Sequence, residues 1–128
     1  MYLQITDFMT IGEVQDRFNE CFPFLDIAFY SKPHELYEGS DKKYKYSNKI
    51  RISNIRRRHV NGVLEIKSWD TIATVEKKIK EVFDLNAQIF RYDAIGCWIQ
   101  TTLSDNLTLK QLSQFATDSL VVSQSFSF

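Results

Sequence analysis

The 128 residues are 44% apolar and 25% charged, enough for one domain's core and unlike a disordered or fibrous chain. Sixteen basic residues balance sixteen acidic ones, so the uniformly cationic class of nucleic-acid-binding domain is excluded. Aromatics reach 14%, ten of them Phe, and predict large rings in the core.

In chain order, "YLQI" alternates as a short strand, and "MYLQITDFMT" has neither the basic start nor the apolar run of a signal peptide. No apolar run nears the ~20 residues of a membrane helix. Cytoplasmic residence without a membrane is the expectation. "TIGEVQDRF" then places Ile11, Val14, Phe18, Cys21 and Phe22 at offsets 0, 3, 7, 10 and 11. That is one face of a helix over about 10–22, with Thr10 as N-cap. "FPFLDIAFY" alternates Leu25, Ile27 and Phe29 against Asp26 and Ala28, a strand.

Residues 41–59, "DKKYKYSNKIRISNIRRRH", break this pattern. Lys42, Lys43, Lys45, Lys49, Arg51, Arg56, Arg57 and Arg58 face one acid, Asp41, so half of all basic charge sits in under a sixth of the chain. Tyr44 and Tyr46 lie within the run and Tyr37 borders it. Cations for phosphate and rings for stacking are the composition of a nucleic-acid contact. A basic connector docking on its own acidic domain has the same composition. Ile52, Ile55 and His59 fall at helical spacing and predict a short helix.

From residue 62 the pattern repeats. "GVLEIKS" is a strand, and "TIATVEKKI" places Ile72, Val75, Ile79, Val82 and Phe83 at the earlier offsets, 61 positions on, behind Thr71 as cap. "FDLNAQIFRY" alternates Leu85, Ala87 and Ile89 against Asn86, Gln88 and Phe90, in phase with the first strand if its turn is one residue shorter. "CWIQTT" is the expected hairpin partner of 87–92 across "YDAIG". "LTLKQLSQFA" is a short helix capped by Thr108, and "SLVVSQSF" a closing strand.

Strand–helix–strand written twice predicts an α+β fold. The expectation is a two-layer sandwich of a mainly antiparallel sheet with two principal helices on one face, a duplicated βαβ. It would form a single domain, 1–128, from related halves of about 1–60 and 61–128. The order favours a ferredoxin-like arrangement, with a ubiquitin-like β-grasp as the alternative.

Chemistry-bearing motifs are absent. There is no G-x-S-x-G, phosphate loop or H-E-x-x-H, and only four glycines. His34 with Glu38 is a loop histidine near an exposed carboxylate, so no metal or cofactor is expected. Cys21 and Cys97 read as buried thiols acting as small hydrophobes. Asp16/Glu20 and Glu76/Lys80 read as exposed helix-face pairs.

In "DTIATVEKKI", "AQIFRY" and "LSDNLTLKQLSQFATDSLVV", residues 70–125 resemble the ubiquitin-like β-grasp family. The chain ends "SQSFSF" without paired glycines, so the resemblance does not imply conjugation. In "TIGEV" and "FPFLDI" the whole chain resembles a group of small uncharacterised bacterial proteins that repeat T-[IL]-G-E-[VIL] before an F-P-[YF]-L-x-I strand; no activity comes with it. The expected function is a non-catalytic protein–protein interaction module. The alternative is a nucleic-acid-binding protein using the 41–59 segment.

Overall fold

The computed structural model describes residues 1–33, 42–92, 98–100 and 106–114. The expected turn at "YDAIG", the closing strand "SLVVSQSF", and Tyr37, His34, Glu38 and Cys97 lie outside or largely outside these residues.

The repeated phrase folds as a repeated unit. Strand β1 (Tyr2–Ile5) leads to helix α1 (Ile11–Cys21) and strand β2 (Leu25–Tyr30); β3 (Gly62–Glu65) leads to α2 (Ile72–Phe83) and β4 (Asn86–Tyr92). A short β5 (Trp98–Gln100) pairs with the end of β4, as "CWIQTT" predicts. Each helix starts where its threonine satisfies a free N–H of the first turn. Thr10 accepts from Glu13 N at 3.2 Å while Glu13 Oε1 accepts from Thr10 N, a capping box. Thr71 accepts from Thr74 N, and Thr108 from Gln111 N at the head of a helical segment over 109–114. Asp84 ends α2 in the left-handed region at φ 58°.

Among the described residues the strands form two small antiparallel sheets, β1–β3 and β2–β4–β5, rather than one. A ferredoxin-like order sets the four unit strands in one sheet; these ladders split them, and they do not define a β-grasp either. The split follows from how the units meet. Leu3 pairs with Leu64, its own equivalent 61 positions on, and Ala28 pairs with Gln88, its equivalent across the shorter turn. Like strand lies against like, as about an approximate two-fold axis through both ladders.

The connecting segments repeat the relation. Ile50 O accepts from Ile11 N and Met9 O from Ile52 N, both at 2.9 Å. In the second unit Leu107 O accepts from Ile72 N and Asp70 O from Leu109 N. The predicted helix after Ile50 is a single 3-10 turn, Ile52–Asn54.

Both units contribute to one buried cluster that includes Leu3, Phe18, Ile27, Phe29, Ile79, Phe83 and Ile89. Each helix packs on the strands of its own unit, α1 on β1 and β2, α2 on β3 and β4. Cys21 is a correction: it is exposed, not buried. Offset 10 lies past the edge of the core in both units, since Val82 is exposed as well, and Phe22 instead packs its ring 5.3 Å from Phe18.

Glu76 is a second correction. It is buried on the inner side of α2, where its Oε2 accepts from Ile89 N of β4 at 2.8 Å. Its equivalent, Gln15, donates to Ile27 O of β2 at 2.8 Å. Each helix thus bonds the strand that follows it through this matching polar position, and α1 adds Asn19, which donates to Leu25 O at 3.0 Å.

Candidate functional site: a basic segment around a polar cavity

The basic segment is threaded through the fold. At its start Tyr44 O accepts from Ser31 N and Tyr46 N donates to Phe29 O, so residues 44–46 run beside β2 and Lys45 bridges Tyr30. Residues 48–53 then cross the head of α1, with Asn48 O accepting from Gly12 N at 2.8 Å. A Cβ on Gly12 would stand 3.2 Å from that oxygen, a tight contact that the crossing segment would have to yield to by a few tenths of an ångström. Arg56 to Arg58 arrive at the C-terminal end of α2, where Asp84 Oδ2 accepts from the backbone N–H groups of Arg57 and Arg58.

The expected cations therefore do not form one patch. Lys43, Lys45, Lys49, Arg51, Arg57 and Arg58 are exposed; the side chain of Lys42 lies outside the described residues. Lys49 and Arg57 meet no acid among the described residues. Arg51 donates to Phe8 O and Arg58 to Glu81 O.

Arg56 is enclosed rather than on an open surface, so its assignment to an exposed binding face is corrected, although it lines the polar cavity. Its side chain is 0% exposed and pairs with Asp7 Oδ1 at 2.7 Å. It also donates to Val60 O at 2.9 Å, to Phe83 O at 3.1 Å and to Asn61 Oδ1 at 3.3 Å. One guanidinium thereby joins the loop after β1, the segment before β3 and the end of α2. The planar fork of five donors makes Arg the residue for such a junction.

The tyrosines are engaged too. The ammonium groups of Lys32 and Lys43 stand 4.5 and 5.0 Å from the Tyr44 ring centre, a cation–π arrangement. Tyr46 is partly buried against the core.

Between β2, residues 54–57 and α2 lies a cavity of about 500 Å3 with a polar lining. Ser31, Arg57, Lys80, Asp84 and Asn86 line it, with Arg56 on its inner side. The arrangement can receive a negatively charged group. Local pattern signals neither Lys80 nor Asn86, because the cavity joins segments far apart in the chain. Nor does it mark Arg56, which follows the 3-10 turn Ile52–Asn54 and is set apart from its neighbours only by its distant partners.

Two carboxylates in this region are held below the ordinary value of 3.8. For Asp7, burial acts upward, but the hydrogen bonds and charges of Arg56 and His59 outweigh it. For Asp84 the N–H of Arg58 acts first, against burial, with Lys80 and the N–H of Arg57 adding to it. A carboxyl more acidic when folded than when unfolded contributes stability above its unfolded value, and loses it as pH falls through the folded value. The melting temperature is therefore expected to fall as the pH drops below about 4. In Asp7→Asn the neutral-pH melting temperature should be lower and the acid slope shallower, measured by circular dichroism. Parallel slopes in parent and variant would contradict the pairing.

Among the described residues, no helix is long and apolar enough to cross a membrane, and no three metal-ligating side chains converge. No known protein family, curated protein or solved structure matches the chain.

Proposed function

We propose that the protein is a non-catalytic interaction module that receives an acidic segment of a partner protein at the basic rim of the polar cavity. The observation that carries this reading is the exposed Arg57 guanidinium, without an acidic partner among the described residues, at a cavity also lined by Lys80. A carboxylate placed there gains a charge-assisted bond in a site partly shielded from water. A non-catalytic role is supported by the other charges of the cavity being committed to structure. Lys80 holds Asp84 at 3.3 Å and Arg56 holds Asp7.

Nucleic acid is the second reading, and the rings weigh against it. Stacking requires open aromatic faces, whereas Tyr44 has an ammonium group near its ring from each of two lysines and Tyr46 packs inward. The same proposal takes residues 1–128 as one cytoplasmic domain of bacterial type, built by duplication of halves of about 1–60 and 61–128. The shared core and the pairing of equivalent residues support the single domain and the duplication.

The test is fluorescence anisotropy with a glutamate-rich peptide and a single-stranded oligonucleotide of equal charge. The peptide is expected to bind the more tightly. The Arg57→Ser/Arg58→Ser variant should weaken it about tenfold, from roughly 0.2–1 kcal/mol per exposed pair. Tighter binding of the oligonucleotide would overturn the protein-partner reading.

A further inference from the structure

The described residues leave six large apolar side chains in solvent: Tyr2, Phe8, Val60, Val63, Trp69 and Val82. All but Val82 lie on or beside the β1–β3 ribbon. Alternation along β1 sends Leu3 and Ile5 into the core and Tyr2 and Gln4 outward; along β3 it sends Val63 and Glu65 outward. Tyr2 stands opposite Glu65 and Gln4 opposite Val63, so Tyr2 and Val63 are diagonal neighbours on one face, about 7–8 Å apart. They are 72% and 56% exposed.

At the two ends of the ribbon the chain makes the same turn twice. Thr6 O accepts from Met9 N at 3.2 Å and Lys67 O from Asp70 N at 3.0 Å. The third residue of each turn is aromatic and exposed, Phe8 at 79% and Trp69 at 69%. Tyr2 with Val63 and Phe8 with Trp69 are thus equivalent positions of the two units. The other sheet offers a contrast: the second face of β2–β4 has Ala28, Tyr30 and Gln88 buried and Asp26, Asn86 and Phe90 partly buried.

We propose that the outward face of the β1–β3 ribbon, with Phe8 and Trp69 at its ends, is the surface at which a second copy of this chain docks. A two-fold dimer uses the same patch on both partners, so the patch must complement itself. This one already repeats its apolar groups about an approximate two-fold, and every anchor is offered twice. Its charges are balanced, with exposed Glu65 on β3 and Lys67 two residues on, beside the Trp69 ring at 5.5 Å. A second copy matches acid to base in both directions, whereas a partner of single sign does not.

The size also fits. Three aromatics of roughly 150–250 Å2, each about three-quarters exposed, with Val63 give on the order of 500 Å2 per copy. The strand backbones and flanking polar groups bring this toward the ~800 Å2 per partner of a standard interface.

The test is sedimentation velocity on the full chain over a concentration series, at low and high salt. The parent is expected to be a dimer whose dissociation constant changes little with salt. Tyr2→Ser/Trp69→Ser should raise that constant roughly a hundredfold, with the circular dichroism spectrum unchanged. Val82→Ser, away from the ribbon, should leave the dimer intact. Should the double variant misfold, Phe8→Ser/Val63→Thr serves in its place. A parent that stays monomeric at the highest concentration overturns the proposal, as does a dimer that survives in either folded double variant.

Discussion

Replacing Phe18 by aspartate is expected to unfold the protein, and Ile79→Asp to do the same. Both side chains are fully buried, at matching positions of α1 and α2, in the one cluster that unites the two units. Truncating a buried Phe or Ile already costs about 2–5 kcal/mol. An aspartate adds a carboxylate without a partner in an apolar site, several kcal/mol more. A chain of this size has only about 5–15 kcal/mol to lose. Thermal melts followed by circular dichroism decide the matter: no cooperative transition is expected for either variant. If both melt like the parent, the inward faces of the helices are misassigned.

Arg56→Ser is expected to lower the melting temperature strongly, while Arg57→Ser and Arg58→Ser leave it nearly unchanged. The neighbours share a charge and a tripeptide but not an environment. Arg56 is enclosed, and its bonds to Val60 O and Phe83 O are charge-assisted, worth about 1.5–3 kcal/mol each. Its loss also removes the partner of Asp7. Arg57 and Arg58 are exposed, and surface changes stay within about 0.5 kcal/mol. Their bonds to Asp84 come from the backbone and survive a change of side chain. Denaturant titration of the three single variants separates the cases. Equal stability losses in all three would show that the basic run acts as one structural unit.

Features set by contacts close in the chain are legible in the sequence. Thr10, Thr71 and Thr108 announce helix starts because a cap is a contact within four residues, and the strands appear because alternation reports a covered face. What required distant partners was hidden. Whether β2 lies beside β4 or β3 depends on how two units meet, and nothing within a strand records that. Arg56 looks like its solvated neighbours because Asp7, which makes it structural, is 49 positions away. Glu76 resembles any helix-face acid until β4 brings Ile89 N to it; its equivalent Gln15 is the only hint, as a residue that also bonds a strand. The cavity draws on four stretches of chain, and the only part of it that composition flags is the basic run.

The functional account rests on electrostatic capture at the cavity rim, and the salt dependence of binding tests it most directly. Affinity for the glutamate-rich peptide would be measured from low to high ionic strength, for the parent and for Arg57→Ser/Arg58→Ser. The account predicts a steep fall with salt for the parent, because exposed charges are screened over about 10 Å at 0.1 M. It predicts a shallower slope for the variant at an unchanged melting temperature. Binding indifferent to salt, or a variant that loses stability in place of affinity, would contradict it.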